Sequence, residues 1–186
     1  MAGHLWKLLR LKPTDGNLWK AYRKVFIEAY VRDAQGNEPI FHDWRGRSIK
    51  FGADSFKHAF TRNPDFRQGL NHTNELDIRR AERVLWIREV LNISSGSILL
   101  YQEQFKDGGK PKRRKLFYVI EEAYVVIFDD PPDPTKPLQF VSAYPTSDRD
   151  YRQEIRRKNG ALIDQRRGKP ARESEERDGE KESPSS

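Results

Sequence analysis

The pattern of apolar and polar positions divides the chain into a helical first half and a strand-rich second half. Leu18, Trp19, Tyr22, Val25, Phe26, Ala29 and Tyr30 recur at the helical period, and Thr14-Asp15-Gly16 ahead of them supplies capping residues, so a helix is predicted to run to about Asp33. Gln35-Gly36-Asn37 breaks it. Residues 40–51 read as a short hairpin turning near Arg45-Gly46, and residues 53–62 as a short helix with Phe56 and Phe60 on one face, ended by Asn63-Pro64. Residues 75–91 read as a longer helix with Leu76, Val84, Leu85, Ile87 and Leu91 apolar. After Asn92 the texture changes: residues 98–105, 116–120, 123–128 and 138–144 are rich in aromatic and β-branched side chains and read as strands. Asp107-Gly108-Gly109 marks a hairpin turn, residues 129–137 hold four prolines and form a loop, and residues 148–158 suit a final helix.

Helices first and strands second predict an α+β fold with an antiparallel sheet. From residue 165 the chain is charged and nearly without apolar residues, so it cannot bury enough surface to offset its ordering entropy and is expected to be a disordered tail. Three segments follow: an N-terminal helical extension over 1–39, a main domain over 40–164, and the tail over 165–186.

Composition changes the picture in three ways. The 186 residues are 35% hydrophobic and 34% charged, but 10 Phe, 7 Tyr and 4 Trp supply enough buried area for a core. Cysteine is absent, which excludes disulfides, thiol nucleophiles and thiolate-held metals. No apolar run is long enough to span a membrane, and the basic N-terminus lacks the apolar stretch of a secretion signal, so a cytoplasmic location is expected, with delivery into another cell as the alternative. The net charge is +7, and because residues from Arg166 onward carry six basic and six acidic side chains, the whole excess lies before them. A basic folded part points to a nucleic acid partner, with plain solubility as the competing reading.

Candidate chemistry is concentrated in four places. His58, in Ser-Phe-Lys-His-Ala-Phe, is suited to proton transfer near neutral pH, although a single helix histidine also serves as an ordinary surface residue, as do His4, His42 and His72. Arg79, Arg80 and Arg83 lie on one side of the 75–91 helix and could grip phosphate, while Glu75 and Arg79 also make a plain surface pair. Lys110, Lys112, Arg113, Arg114 and Lys115 lead into a strand, with Lys115 best placed to be held rigidly. In Phe-Val-Ser-Ala-Tyr-Pro, alternation puts Phe140, Ser142 and Tyr144 on one sheet face, where they could hold a phosphate and stack a base. There is no phosphate-binding glycine loop and no carboxylate cluster for paired metals.

Four segments in order, SFKHAF, RAERVLWIREVL, KLFYVIEEAYVVIF and FVSAYP, resemble the phage-associated nucleases of the barnase–EndoU–colicin E5/D–RelE superfamily over roughly residues 40–146. The resemblance implies N-terminal helices packed on a four-stranded antiparallel sheet that carries a metal-independent ribonuclease site. It also implies a phage or mobile-element enzyme that can be toxic to its host, with an antitoxin or immunity protein as a partner beside the RNA. The family's helix histidine corresponds to His58, its helix arginine to Arg80, and the residue entering its central strand to Lys115 or Tyr118. Ser142 stands where members usually have threonine before the closing Ala-Tyr-Pro. On this reading His58 acts as base or acid, Arg80 and Lys115 stabilise charge on phosphorus, and Ser142 and Tyr144 donate hydrogen bonds. Lys112, Arg113, Arg114, Tyr118, Phe140 and Arg83 would add binding contacts, and no metal or cofactor is needed. Two other functions fit the same residues: a non-catalytic RNA- or DNA-binding module, and a protein–protein module that docks through the Leu18–Tyr30 stripe.

Overall fold

The structure, a computed structural model, describes residues 3–62, 75–146, 151–158 and 160–169. Helix α1, Leu18–Phe26, is capped by Asn17, whose side chain accepts from the Lys20 amide at 2.9 Å. It continues as one wide turn, Ile27–Val31, in which the Arg32 amide reaches the Ile27 carbonyl five residues back. Tyr22, Phe26 and Tyr30 are spaced by four, slightly more than one α-helical turn, and the wider turn absorbs that drift so that all three stay buried.

Strands β1, Phe41–His42, and β2, Ser48–Lys50, form the first hairpin, followed by α2, Ser55–Phe60. Helices α3, Ile78–Ala81, and α4, Trp86–Asn92, precede β3, Ser97–Asp107, β4, Lys110–Val119, β5, Tyr124–Asp129, and β6, Leu138–Pro145. Helix α5, Tyr151–Arg157, and β7, Ala161–Arg167, close the described chain. The strands form one sheet in the order β1-β2-β6-β5-β4-β3-β7. All neighbours are antiparallel except β2 and β6, which pair in parallel with Ile49 opposite Leu138. The sheet curls into a half-barrel. Trp44, in the β1–β2 turn, donates its indole N–H to Asp164 of β7 at 2.9 Å, so opposite ends of the strand order meet across the concave face.

That concave face holds the main core. Phe26 lies within 6.3 Å, ring to ring, of Tyr30, Phe51, Phe56, Phe60 and Phe140, and Phe128 packs on Phe51, Phe117 and Phe140. Residues 1–39 and 40–164 therefore share one core through α1. On the convex face α5 lays Tyr151 and Ile155 on Leu99, Tyr101, Leu116, Tyr118, Val125 and Ile127.

The four-stranded antiparallel sheet with helices packed on it, expected above, is not the fold. The sheet has seven strands and mixed direction, and the longest α-helix among the described residues has nine residues. The expected antiparallel set is only the centre, β3 to β6. The hairpin in 40–51 joins it through a parallel pair, a link that no local pattern encodes. The seventh strand, Ala-Leu-Ile-Asp-Gln-Arg-Arg, is too charged to read as a strand, yet it pairs with β3 from Gln102 opposite Ala161 to Ser97 opposite Arg167. Gly168 then donates to the Gly96 carbonyl at 2.8 Å, so ordered structure runs past residue 165. Residues 170–186, most of the expected tail, lie outside the described residues, as do His72 and Pro64.

The expected single helix over 75–91 is two short ones, because tertiary donors take its middle carbonyls. The Glu82 carbonyl accepts from the Leu9 amide at 2.8 Å, that of Val84 from the Tyr30 hydroxyl at 2.8 Å, and that of Arg83 from the Tyr124 hydroxyl at 3.4 Å. The intervening turn tightens to bonds three residues apart, such as Trp86 N–H to the Arg83 carbonyl.

Candidate functional site

A cavity of about 490 Å³ opens on the convex face between α2 and α3 on one side and α5 on the other. Its floor is the sheet. Register places Leu116, Ile127 and Ser142 side by side on β4, β5 and β6, and Glu103 beside Arg114 on β3 and β4. His58 from α2 and Arg80 from α3 form one wall, and Tyr151, Glu154 and Lys158 form the other.

Helix α2 is tied to β6 by Phe56 and Phe60 in the core and by the Ser55 hydroxyl donating to the Phe140 carbonyl at 3.3 Å, which sets His58 over the strand. Arg80 joins the pieces of this wall. Its Nη1 donates to the Ala59 carbonyl at 3.2 Å, its Nε lies 3.4 Å from Asp77, and its guanidinium stands 4.9 Å from the Tyr144 ring centroid. The Asp77 side chain in turn accepts from the Arg80 amide and so caps α3. Across the cavity the Tyr144 and Tyr151 hydroxyls meet at 3.1 Å, and the Tyr151 ring lies 5.7 Å from that of Tyr118.

The electrostatics are mixed. Burial, and after it the neighbouring Tyr144, pushes the Tyr151 phenol far above its usual range. Burial also lifts the Glu103 carboxyl, an effect that Lys158 and Arg114 oppose. The Lys158 ammonium is raised by its 2.7 Å bond to Glu154. Arg114 pairs with Asp129 at 2.9 Å and stacks its guanidinium 4.4 Å from the Phe105 ring.

Of the residues singled out from the sequence, His58, Arg80, Arg114, Ser142 and Tyr144 line this cavity. Lys115 does not. It lies on the concave face, donating to Gln102 at 2.7 Å with buried Asp130 at 3.8 Å, and burial holds its ammonium below the usual lysine range. Arg113 shares that face, pairing with Asp130 at 3.5 Å and donating to the Pro131 carbonyl at 3.0 Å. Residues 116–119 are all apolar and all buried, so periodicity could not tell which neighbour, Arg114 or Lys115, shares the cavity's side. Lys112 pairs with Asp107 near the hairpin tip. Tyr118 is buried beneath Tyr151, and Arg83 stacks 4.8 Å from Trp86, away from the cavity. Phe140 belongs to the core, because the register shifts between Ile127 and Phe128: Ile127 opposes Ser142 and Phe128 opposes Phe140. Val141 is the extra residue, and beyond this bulge Ser142 and Tyr144 turn to the convex side while Phe140 faces the concave one.

Sequence reasoning missed Glu103, Tyr151, Glu154 and Lys158. Glu103 carries a signal in retrospect, since it continues the Leu99, Tyr101 alternation of one strand face with a charge. Tyr151 and Glu154 of α5 and Lys158 just after it carry none, because nothing local says that this helix docks on the sheet. Among the described residues no group of three or more His, Asp or Glu side chains could hold a metal ion, and no helix is long and apolar enough to cross a membrane. Comparison with known protein families, with curated proteins and with solved structures finds no match to this chain.

Proposed function

We propose that this cavity binds and cleaves RNA, with the substrate's own 2′-OH as nucleophile. The observation that carries the reading is the meeting of His58, Arg80, Ser142 and Tyr144, brought from segments far apart in the chain, in one cavity with Arg114 and Glu103. The 2′ oxygen forms a bond to phosphorus as the bond from phosphorus to the 5′ oxygen breaks. One proton leaves the 2′-OH, and one must reach the departing 5′ oxygen. His58 accepts the first, since imidazole is the side chain most often used for such a transfer. Glu103 supplies the second, since burial keeps its carboxyl protonated to higher pH than an exposed glutamate. Arg80 and Arg114 offset the charge that builds on the phosphoryl oxygens, and Ser142 and Tyr144 donate hydrogen bonds to them. DNA has no 2′-OH and is not cut by this route.

The sequence resemblance to the phage-associated nucleases supports the same reading through His58, Arg80 and Ser142. The test is His58→Ala, assayed on mixed tRNA and a short single-stranded RNA. The variant is expected to fold normally and to lose about 10²–10⁴-fold in cleavage rate. A folded, fully active variant removes His58 from the chemistry. Tight, salt-sensitive RNA binding by the wild type with no product at any enzyme concentration would make the chain a binding module instead.

A further inference from the structure

We propose that the outer face of α5, continued by β7, docks the phosphate backbone of the RNA strand that flanks the cleaved nucleotide. This rests on the ribonuclease reading of the neighbouring cavity. Helix α5 has two sides. Tyr151 and Ile155 are buried on the sheet, and Glu154 and Lys158 wall the cavity. Arg152, Arg156 and Arg157 are exposed, and among the described residues no carboxylate lies within ion-pair distance of any of them. Arg152 and Arg156 stand four residues apart on one side of the helix, a like-charge spacing that costs helix stability. Both also sit near Tyr101 of β3, where their charge opposes the burial that raises that phenol.

Strand β7 extends the surface. Its register sets Gln165 beside Leu99 and Arg167 beside Ser97, on the side of the sheet that α5 covers. The cations of this patch have planar forks that match successive phosphates. A strand leaving the cavity past Glu154 and Lys158 crosses α5 and meets these arginines. A lipid surface is the competing partner, because Leu162 and Ile163 are exposed beside them.

The experiment measures binding of the full chain to non-cleavable 2′-O-methyl single strands, one short and one long, across a salt series. The triple variant Arg152→Gln/Arg156→Gln/Arg157→Gln is compared with the triple lysine variant, and melting temperatures check folding. For three lost phosphate contacts, the slope of log affinity against log salt on the long strand should become shallower by about 2. The lysine variant should keep the wild-type slope, and affinity for the short strand should stay unchanged. An unchanged slope in the glutamine variant, no binding of the long strand by the wild type, or a loss confined to phosphatidylserine vesicles overturns the proposal. The two claims fail separately. A changed slope without any cleavage leaves the docking face and removes the nuclease. Cleavage of short RNA with an unchanged slope does the reverse.

Discussion

Replacing Arg80 tests whether the wall of the cavity acts on substrate or only holds the fold together. Arg80→Ala removes three contacts: the hydrogen bond to the Ala59 carbonyl at 3.2 Å, the stack 4.9 Å from Tyr144 and the pair with Asp77 at 3.4 Å. Its side chain is 25% exposed, so the charged hydrogen bond is taken at the low end, about 1.5 kcal/mol, and the partly exposed ion pair near zero. The stack adds about 0.5–1 kcal/mol. A total near 2 kcal/mol lowers the melting temperature of a domain this size by about 4–8 °C, which leaves the variant folded at 25 °C. If Arg80 also offsets charge on the phosphoryl group, cleavage falls by about 10²–10³-fold, far more than the folded fraction accounts for. Arg80→Lys separates the two roles. It keeps the charge but loses the fork and the stack, so it is expected to show a similar drop in stability with an activity between wild type and alanine. The assay is initial cleavage rate at 25 °C beside a thermal melt on the same preparation. Wild-type cleavage by Arg80→Ala would refute the role, and a rate loss that matched the loss of folded protein would reduce Arg80 to a structural residue.

The half-buried Glu103 carboxyl has a folded pKa above its unfolded value, so it contributes stability below about pH 4.3 and loses it as pH rises through the folded value. Glu103→Gln should therefore melt higher than wild type at neutral pH, with the difference vanishing under acid conditions, and should lose activity; a pH-independent difference would contradict the assigned shift. Lys115→Met should cost about 1–2 kcal/mol, because Asp130 keeps its two arginines, and should leave RNA cleavage within a few-fold of wild type, whereas a catalytic loss would return Lys115 to the site. Gly168→Ala places a Cβ 2.5 Å from the Ile93 carbonyl oxygen and 2.6 Å from the Ser95 amide, both backbone atoms. It should abolish hydrogen-exchange protection across residues 161–167, and retained protection would argue against the seventh strand as described.

What could be read from the sequence followed from how locally it is encoded. The Tyr22, Phe26, Tyr30 stripe and the strands around Leu99, Phe117, Val126 and Phe140 are legible because each segment alone decides between helical and alternating periods. The pairing of β2 with β6 is not, since three residues carry no address for a parallel partner. β7 gains its place through backbone bonds to β3 and through Asp164 meeting Trp44, neither of which leaves an apolar trace. At the site, His58, Arg80, Ser142 and Tyr144 are legible as residue types in a suggestive order. The exchange of Arg114 for Lys115 turned on a single residue of strand phase, and the loss of Phe140 to the core turned on the bulge at Val141. Both are set by tertiary packing.

The central claim is that the cavity cleaves RNA through the 2′-OH. The most direct test incubates the purified chain with single-stranded RNA and tRNA in EDTA and maps the product ends. The account predicts cleavage that persists in the chelator and leaves 2′,3′-cyclic phosphate and 5′-hydroxyl ends. Products with 5′-phosphate ends, or cutting of DNA at a comparable rate, would contradict it.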